Sequence, residues 1–206
     1  SCLMGVGQFC TNPGIVVLVT GKETEQFIES VSTKFSEAPV GTLLTGSVEK
    51  NMADSVKVLQ DAGATVITGG KTGSGPGYSY DNTLLRVSGE KFIANSQKLQ
   101  TEAFGNESLF VVANDEDQAV EICNHFEGNL TGCIYSSQKG DDESLYKRIV
   151  GILRKKVGRL LNDKMPTGVA VSSAMNHGGP YPATGHPGFT AVGIPASIVR
   201  FGMLES

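Results

Sequence analysis

The sequence lacks the features that mark contacts with nucleic acids or membranes. No basic stretch is long enough to follow a phosphate backbone, and 17 Lys and Arg against 21 Asp and Glu give a net charge of -4. Nucleic acid and acidic lipid surfaces are therefore not expected as partners. No apolar run approaches the roughly 20 residues that a membrane helix requires. With 39% apolar and 18% charged residues, the chain is expected to fold as a soluble globular protein.

The cysteines and histidines form no recognisable disulfide or metal pattern. There is no C-x-x-C pair, and neither residue type shows the spacing of a zinc site. We therefore predict reduced thiols, no bound metal and a cytoplasmic location. The cysteines are Cys2, Cys10, Cys123 and Cys133, and the histidines are His125, His177 and His186.

Two glycine-containing segments share only part of a nucleotide-binding motif. Gly70-Lys71-Thr72 lacks both the following helix and the earlier glycine of a phosphate-binding loop, since Thr65 occupies that glycine position. Gly5-Val6-Gly7 leads to Cys10 where a dinucleotide fingerprint has its last glycine, and no strand precedes it. The sequence therefore predicts neither motif in this chain.

Helical and strand patterns alternate along the chain, which predicts an α/β fold with a mostly parallel sheet covered by helices. The length favours one domain over residues 1–206, with loops dominating after Met165. Strands are predicted over 15–20, 64–68, 83–87, 108–113, 131–135 and 159–162. Helices are predicted over 23–38, from an N-cap at Ser47 to Gly63, from an N-cap at Asp115 with Cys123 on its buried face, and between Asp141 and Lys156.

The strongest candidate for a site is Gly5-Val6-Gly7-Gln8-Phe9-Cys10-Thr11-Asn12-Pro13-Gly14. A short helical stretch gives way to a turn at Cys10, directly before the first strand. The glycines allow close approach of the backbone, and N–H groups in such a turn can stabilise an oxyanion. A thiolate lifted into a cleft here would be a strong nucleophile. The alternative is a buried cysteine that only packs in the core.

Four segments resemble the motifs of one enzyme family, in the order in which that family has them. Gly7-Gln8-Phe9-Cys10-Thr11-Asn12-Pro13-Gly14 resembles the active-site segment of aldehyde dehydrogenases, and Thr101-Glu102-Ala103-Phe104-Gly105 resembles their Glu-x-Phe-Gly motif. The segment from Gly77-Tyr78 to Leu84-Leu85 is similar to one that usually ends Pro-Thr-Leu-Leu. Residues 178–184 and 189–193 resemble the C-terminal signature. The branch most similar in these motifs acts on α-ketoglutaric semialdehyde (2,5-dioxovalerate).

This resemblance implies a three-layer αβα catalytic domain and covalent catalysis by Cys10. The thiolate would attack the aldehyde carbon, the thiohemiacetal would give a hydride to NAD or NADP, and water would hydrolyse the thioester. By the same similarity, Glu102 would bind the hydroxyls of the nicotinamide ribose and Phe104 would pack against the cofactor. The substrate pocket would include Phe9, Thr11 and His177.

The resemblance also implies functional parts that lie outside this chain. The family's general-base glutamate, its oxyanion asparagine and its Rossmann-like cofactor domain would precede Ser1, so residues 1–206 alone are expected to be inactive. The full-length enzyme is expected to be a homo-oligomer.

Two positions depart from the family pattern, because Asn82 and Asn106 stand where Pro is common. We expect the local backbone to differ there.

Two other functions are compatible with the residues. Cys10 could be the nucleophile of a cysteine hydrolase or acyl transferase in which His177 or His186 activates the thiol. Such an enzyme would turn over activated esters without a nicotinamide cofactor. A non-catalytic assembly domain is the second alternative, and it predicts that Cys10 is buried and unreactive.

Overall fold

A four-stranded sheet organises the first of the two units into which the chain divides, Ser1–His125 and Phe126–Ser206. The computed structural model describes residues 1–168 and 177–185. The strands of the first unit are β1 (Ile15–Val19), β2 (Thr65–Thr68), β3 (Thr83–Ser88) and β4 (Glu107–Ala113). Its helices are α1 (Lys22–Glu37), α2 (Gly46–Asp61), α3 (Gly89–Ala94), α4 (Ser96–Leu99) and α5 (Glu116–Asn124), after a short 3-10 helix at Met4–Gly7.

The sheet has the strand order β1-β4-β3-β2 and is mostly parallel. Strand β4 is central, since it pairs in parallel with β1 on one side and with β3 on the other, and Leu109 lies opposite both Ile15 and Leu85. Only β2 is antiparallel, to β3. The predicted α/β class with a mostly parallel sheet is confirmed.

Successive side chains of β4 point to opposite faces of the sheet. Both faces are apolar along β4, and helices cover each of them. Phe110 and Val112 pack with Ile28 and Phe35 of α1 on one face. Leu109 and Val111, which point to the opposite face, are also buried, and helices α3 and α5 contact β4. Burial of apolar side chains on both faces stabilises the sheet and gives the predicted three layers.

Of the two N-cap residues predicted from the sequence, the structure has one and replaces the other. The Asp115 carboxylate accepts a hydrogen bond of 2.8 Å from the backbone N–H of Gln118, as an N-cap residue does. The predicted N-cap at Ser47 is wrong, because the hydroxyl of Thr45 caps α2 by accepting from the N–H of Val48 at 3.3 Å. Cys123 lies in the core as predicted, and burial raises the pKa of its thiol to about 11.

The described part of the second unit includes a β-α-β segment. Strand β5 (Asn129–Ile134) pairs in parallel with β6 (Val157–Asn162), and helix α6 (Glu143–Leu153) connects them. The strands predicted at 131–135 and 159–162 are confirmed with shifted ends, and the helix begins two residues later than predicted, at Glu143. Within the part of the chain that the structure describes, no helix is long and apolar enough to cross a membrane.

A carboxyl group is buried at the first residue of the central strand. Glu107 is 3% exposed, and its Oε1 has no hydrogen-bond partner among the described residues. Burial raises the pKa of Glu107 well above its usual value, because the apolar surroundings disfavour the charged form. Burial, together with the carboxyls of Asp81 and Glu107, also raises the pKa of Tyr80. Burial therefore favours the protonated, neutral form of Glu107 in the folded protein.

Glu107→Gln is expected to stabilise the protein at alkaline pH and to have a smaller effect in acid. A carboxyl with a raised pKa binds its proton more tightly in the folded state than in the unfolded state. The free energy of unfolding therefore falls as the pH rises from the pKa of this carboxyl in the unfolded chain, about 4.3, towards its pKa in the folded protein. The uncharged amide of the Gln variant does not titrate and so removes this loss of stability. For a chain of this length, a gain of about 1 kcal/mol in the free energy of unfolding corresponds to a rise of roughly 2–4 °C in Tm. Thermal melts at about pH 5 and about pH 8 measure the difference. Glu121→Gln, an exposed position, is the control, and an equal effect of both substitutions would contradict the prediction.

Candidate active site

Cys10 lies in a loop whose backbone has an uncommon conformation. Gly5, Val6 and Gly7 have φ values of 58°, 58° and 66°, in the left-handed region. Glycine adopts this region readily, but a β-branched residue does so at a cost of about 1–3 kcal/mol. The ring of Phe9 lies over Gly5, and the side chain of Val6 packs on Gly41. Tertiary contacts thus stabilise a loop conformation that the local sequence alone does not favour.

A tight turn presents Cys10 at the surface. The backbone N–H of Asn12 donates to the carbonyl oxygen of Phe9 at 3.0 Å, so Cys10 and Thr11 occupy the two central positions of the turn. Cys10 is exposed, which agrees with the predicted nucleophile and contradicts the buried cysteine of the assembly-domain alternative. The four cysteines, all within the described residues, form no disulfide.

The side chain of Gln8 attaches this loop to the segment before α2. Its Oε1 accepts from the backbone N–H of Leu44 at 2.8 Å, and its Nε2 donates to the carbonyl oxygen of Thr42 at 3.4 Å. Because the amide uses both its acceptor and its donor, it fixes the loop in position and orientation.

The loop that precedes β4 lies directly against the Cys10 loop. A Cβ added at Gly7 would overlap the carbonyl group of Gly105, so the two backbones are in contact with no room for a side chain. The Nδ2 of Asn12 donates to the same Gly105 carbonyl oxygen at 3.3 Å. Two motifs that are 93 residues apart in sequence therefore meet beside Cys10.

Parallel pairing explains why these segments meet. Cys10 precedes β1, Gly105 precedes β4 and Asn82 precedes β3, and these three strands are parallel neighbours. Loops before parallel neighbouring strands lie at the same edge of a sheet. The candidate site is thus at the amino-terminal edge of the sheet.

The predicted site residues differ in where the structure places them. Phe9 and Phe104 are 43% and 38% exposed, Glu102 is exposed and Thr11 is half-buried, all in the first unit with Cys10. His177 is half-buried and belongs to the second unit. His186, the other histidine of the hydrolase alternative, lies outside the described residues. No group of three or more His, Cys, Asp or Glu residues that could hold a metal ion occurs among residues 1–168 and 177–185.

The two asparagines that depart from the family pattern contact each other. The Nδ2 of Asn106 donates at 2.8 Å both to Oδ1 of Asn82 and to the carbonyl oxygen of Tyr80. The Nδ2 of Asn82 donates to the carbonyl oxygens of Phe35 and Ala38 at 3.1 and 3.0 Å. This buried pair therefore joins the end of α1 to the start of β4, immediately after Gly105.

Sequence reasoning did not identify Gln8, Asn12 or this asparagine pair as site residues. The available signal was the presence of side-chain amides two residues before and two residues after Cys10, since amides often fix loops by hydrogen bonds to the backbone. The pairing of Asn82 with Asn106 had a weaker signal, namely that both positions depart from the same pattern.

Comparison with solved structures agrees with this fold. The structure resembles the crystal structures of aldehyde dehydrogenase 21 from Physcomitrella patens (TM-score 0.67, 18% identity, 86% of this chain and 36% of that one) and lactaldehyde dehydrogenase from Escherichia coli (TM-score 0.67, 23% identity, 86% and 36%). The fold is thus that of an aldehyde dehydrogenase catalytic domain.

Sequence comparison defines the family. The model of the aldehyde dehydrogenase family matches residues 1–179, and this chain belongs to that family of enzymes. It is 35% identical over 205 residues to α-ketoglutaric semialdehyde dehydrogenase 2 of Azospirillum brasilense, covering 98% of this chain and 38% of that protein. It is 31% identical over 199 residues to α-ketoglutaric semialdehyde dehydrogenase of Acinetobacter baylyi, covering 96% and 37%. The chain therefore spans less than two fifths of the length of these relatives.

Gly7→Ala is expected to separate the two loops of the candidate site. The added methyl overlaps the Gly105 carbonyl and also disfavours the left-handed conformation of residue 7, so a loss of stability above about 2 kcal/mol is expected. Thermal melting and the rate of Cys10 alkylation by iodoacetamide measure the effect. Gly14→Ala is the matched control from the same loop, because a Cβ there meets no atom within 4 Å. Equal effects of the two substitutions would show that the close approach is not needed.

Replacing Asn82 and Asn106 separately and together measures their coupling. Each single change to Ala leaves buried partners without a hydrogen bond, at a cost of about 1–3 kcal/mol. The double variant is expected to be less destabilised than the sum of the single variants, by about 0.5–3 kcal/mol. Urea unfolding of the four proteins gives this difference, and strict additivity would contradict the role of the pair.

Proposed function

We propose that this chain forms the catalytic, cysteine-bearing part of an NAD(P)-dependent aldehyde dehydrogenase that oxidises an aldehyde to a carboxylate through covalent intermediates on Cys10. The supporting observation is the contact between Gly7 and Gly105, which holds the exposed Cys10 beside the loop of Glu102 and Phe104. Covalent oxidation of an aldehyde needs the nucleophile and the hydride acceptor at adjacent positions, and the contact between the loops of Cys10 and Phe104 supports such an arrangement.

The chemistry proceeds in three steps on the sulfur of Cys10. The thiolate bonds to the aldehyde carbon, and the carbonyl oxygen gains a negative charge that N–H donors near the turn stabilise. Loss of a hydride from the thiohemiacetal then forms a thioester, and water hydrolyses the thioester to the carboxylate and the regenerated thiol. The oxidised nicotinamide, when bound, supplies the acceptor for the hydride.

Glu102 and Phe104 fit the nicotinamide end of such a cofactor. An exposed carboxylate can accept hydrogen bonds from ribose hydroxyls, and the 38% exposed Phe104 ring offers an apolar surface for a flat ring. Both residues lie within three positions of Gly105, which contacts the Cys10 loop. We assign the part of the substrate pocket that the first unit contributes to Phe9 and Thr11, which flank Cys10.

The remaining functions are assigned to segments outside these residues. Residues 1–206 then belong to the catalytic part of the enzyme, and the cofactor-binding domain, the general base and the oxyanion side chain come from the rest of the polypeptide. This chain alone is expected to be inactive. The complete enzyme is proposed to be a cytoplasmic homo-oligomer that acts on a small aldehyde. The names of the relatives from Azospirillum brasilense and Acinetobacter baylyi support 2,5-dioxovalerate as the substrate.

Cys10→Ser in the complete enzyme is expected to abolish aldehyde oxidation, because an alkoxide is neither formed as easily nor expelled as readily as a thiolate. Reduction of NAD or NADP measures the activity, and NADH fluorescence measures cofactor binding, which is expected to persist. Cys2→Ser is the control, since the Cys2 thiol contacts the Pro13 carbonyl oxygen at 4.0 Å and a serine hydroxyl can make the same contact.

Two outcomes contradict the proposed function. Retained oxidation in the Cys10→Ser variant excludes a covalent role for the sulfur. Absence of nicotinamide reduction by the unmodified enzyme with a panel of aldehydes, together with turnover of activated esters, favours the cysteine hydrolase instead. The same panel with both cofactors identifies the preferred aldehyde and cofactor.

A further inference from the structure

Asn12 makes two contacts that link the Cys10 turn to the rest of the site. Its backbone N–H closes the turn by donating to Phe9, and its side-chain Nδ2 donates to the carbonyl oxygen of Gly105. One residue therefore shapes the turn that presents Cys10 and attaches this turn to the loop of Phe104.

The residues after Asn12 continue this attachment along the start of β4. The hydroxyl of Ser108 donates to the carbonyl oxygen of Pro13 at 2.8 Å, and the N–H of Leu109 donates to the carbonyl oxygen of Gly14 at 2.8 Å. Asn12, Pro13 and Gly14 thus contact Gly105, Ser108 and Leu109 in sequence order. The contact at Gly14 is between backbones, whereas at Pro13 the Ser108 hydroxyl and at residue 12 the Asn12 amide make the contact.

We infer that Asn12 is a positioning residue that fixes the distance between the Cys10 sulfur and the hydride acceptor, an inference that rests on the proposed function. Its hydrogen bond ends on Gly105, adjacent to Phe104, which is proposed to contact the cofactor. The hydrogen bond from Asn12 to Gly105 does not involve the Cys10 sulfur. Asn12 therefore acts by fixing the loop of Cys10 relative to the loop of Phe104. A displacement of about 1 Å in a reacting pair can lower a rate by about 100-fold.

The direction of the hydrogen bond allows a sharp test. Nδ2 is the donor, while Oδ1 of Asn12 is buried and has no hydrogen-bond partner among the described residues. Asn12→Ala removes the donor. Asn12→Asp keeps the shape of the side chain but places a carboxylate oxygen against the Gly105 carbonyl oxygen, which is repulsive. If Asn12 only fills space, the aspartate variant should resemble the unmodified enzyme more than the alanine variant does.

The experiment uses the complete enzyme with an aldehyde and its deuterated form. Asn12→Ala is expected to lower kcat by about 10- to 100-fold with an increased primary deuterium isotope effect, and Asn12→Asp is expected to be worse. The rate of Cys10 alkylation by iodoacetamide is expected to stay within about threefold of the unmodified enzyme, because the thiol remains exposed. Asn95→Asp makes the same chemical change at an exposed position outside the site and is expected to leave kcat unchanged.

Three results overturn the inference. The first is an Asn12→Asp variant with the kcat and isotope effect of the unmodified enzyme. The second is a loss of alkylation rate as large as the loss of kcat, which would mean that the whole loop collapses. The third is unfolding of both variants in thermal melts, which would make Asn12 a general structural residue. Failure of the proposed function is separate, because it appears as a lack of nicotinamide reduction by the unmodified enzyme.

Discussion

The close approach of the backbones at Gly7 and Gly105 is the constraint on which the candidate site depends. Any side chain at residue 7 would overlap the Gly105 carbonyl, and the φ of 66° at Gly7 further favours glycine. Because the two loops are in contact at Gly7, the side-chain amide of Asn12 can reach the Gly105 carbonyl oxygen and join the loops by one hydrogen bond. The contact at Gly7 also brings the loop of the exposed Cys10 against the loop of the exposed Phe104, although the two come from distant parts of the sequence.

The sheet makes this approach possible by placing three loops at one edge. In open α/β sheets, ligands usually bind at the carboxyl ends of the strands. Here, the loops with Cys10, Gly105 and Asn82 precede β1, β4 and β3, so the candidate site lies at the opposite, amino-terminal edge. The buried pair of Asn82 and Asn106 fixes two of these loops to the end of α1, and the contact at Gly7 fixes the third.

The sequence allowed prediction of the local features of the fold, and it singled out Cys10 as the centre of the candidate site. Strand runs, the cap at Asp115 and the buried Cys123 depend on short-range patterns, and the structure has all of them. Thr45 and Ser47 both have hydroxyls suited to capping, and only the backbone path decides between them. Helix α3 was not predicted because six residues contain too few turns for a periodic pattern. The pairing of β1 with β4, and with it the contact at Gly105, depends on tertiary packing that no local pattern shows.

The side chains that hold the Cys10 loop are neutral amides, and this has an electrostatic consequence. The side chain of Gln8 donates and accepts and that of Asn12 donates, both without adding charge, so these hydrogen bonds do not depend on a protonation state. Salt bridges in the same positions would weaken with salt and would shift the thiol equilibrium through their charges. The carboxyl of Glu107, two residues after Gly105, is also biased towards its uncharged form, because burial raises its pKa well above the usual value. The loops beside Cys10 are therefore held in place mainly by uncharged groups, so the hydrogen bonds that fix them depend little on pH or salt.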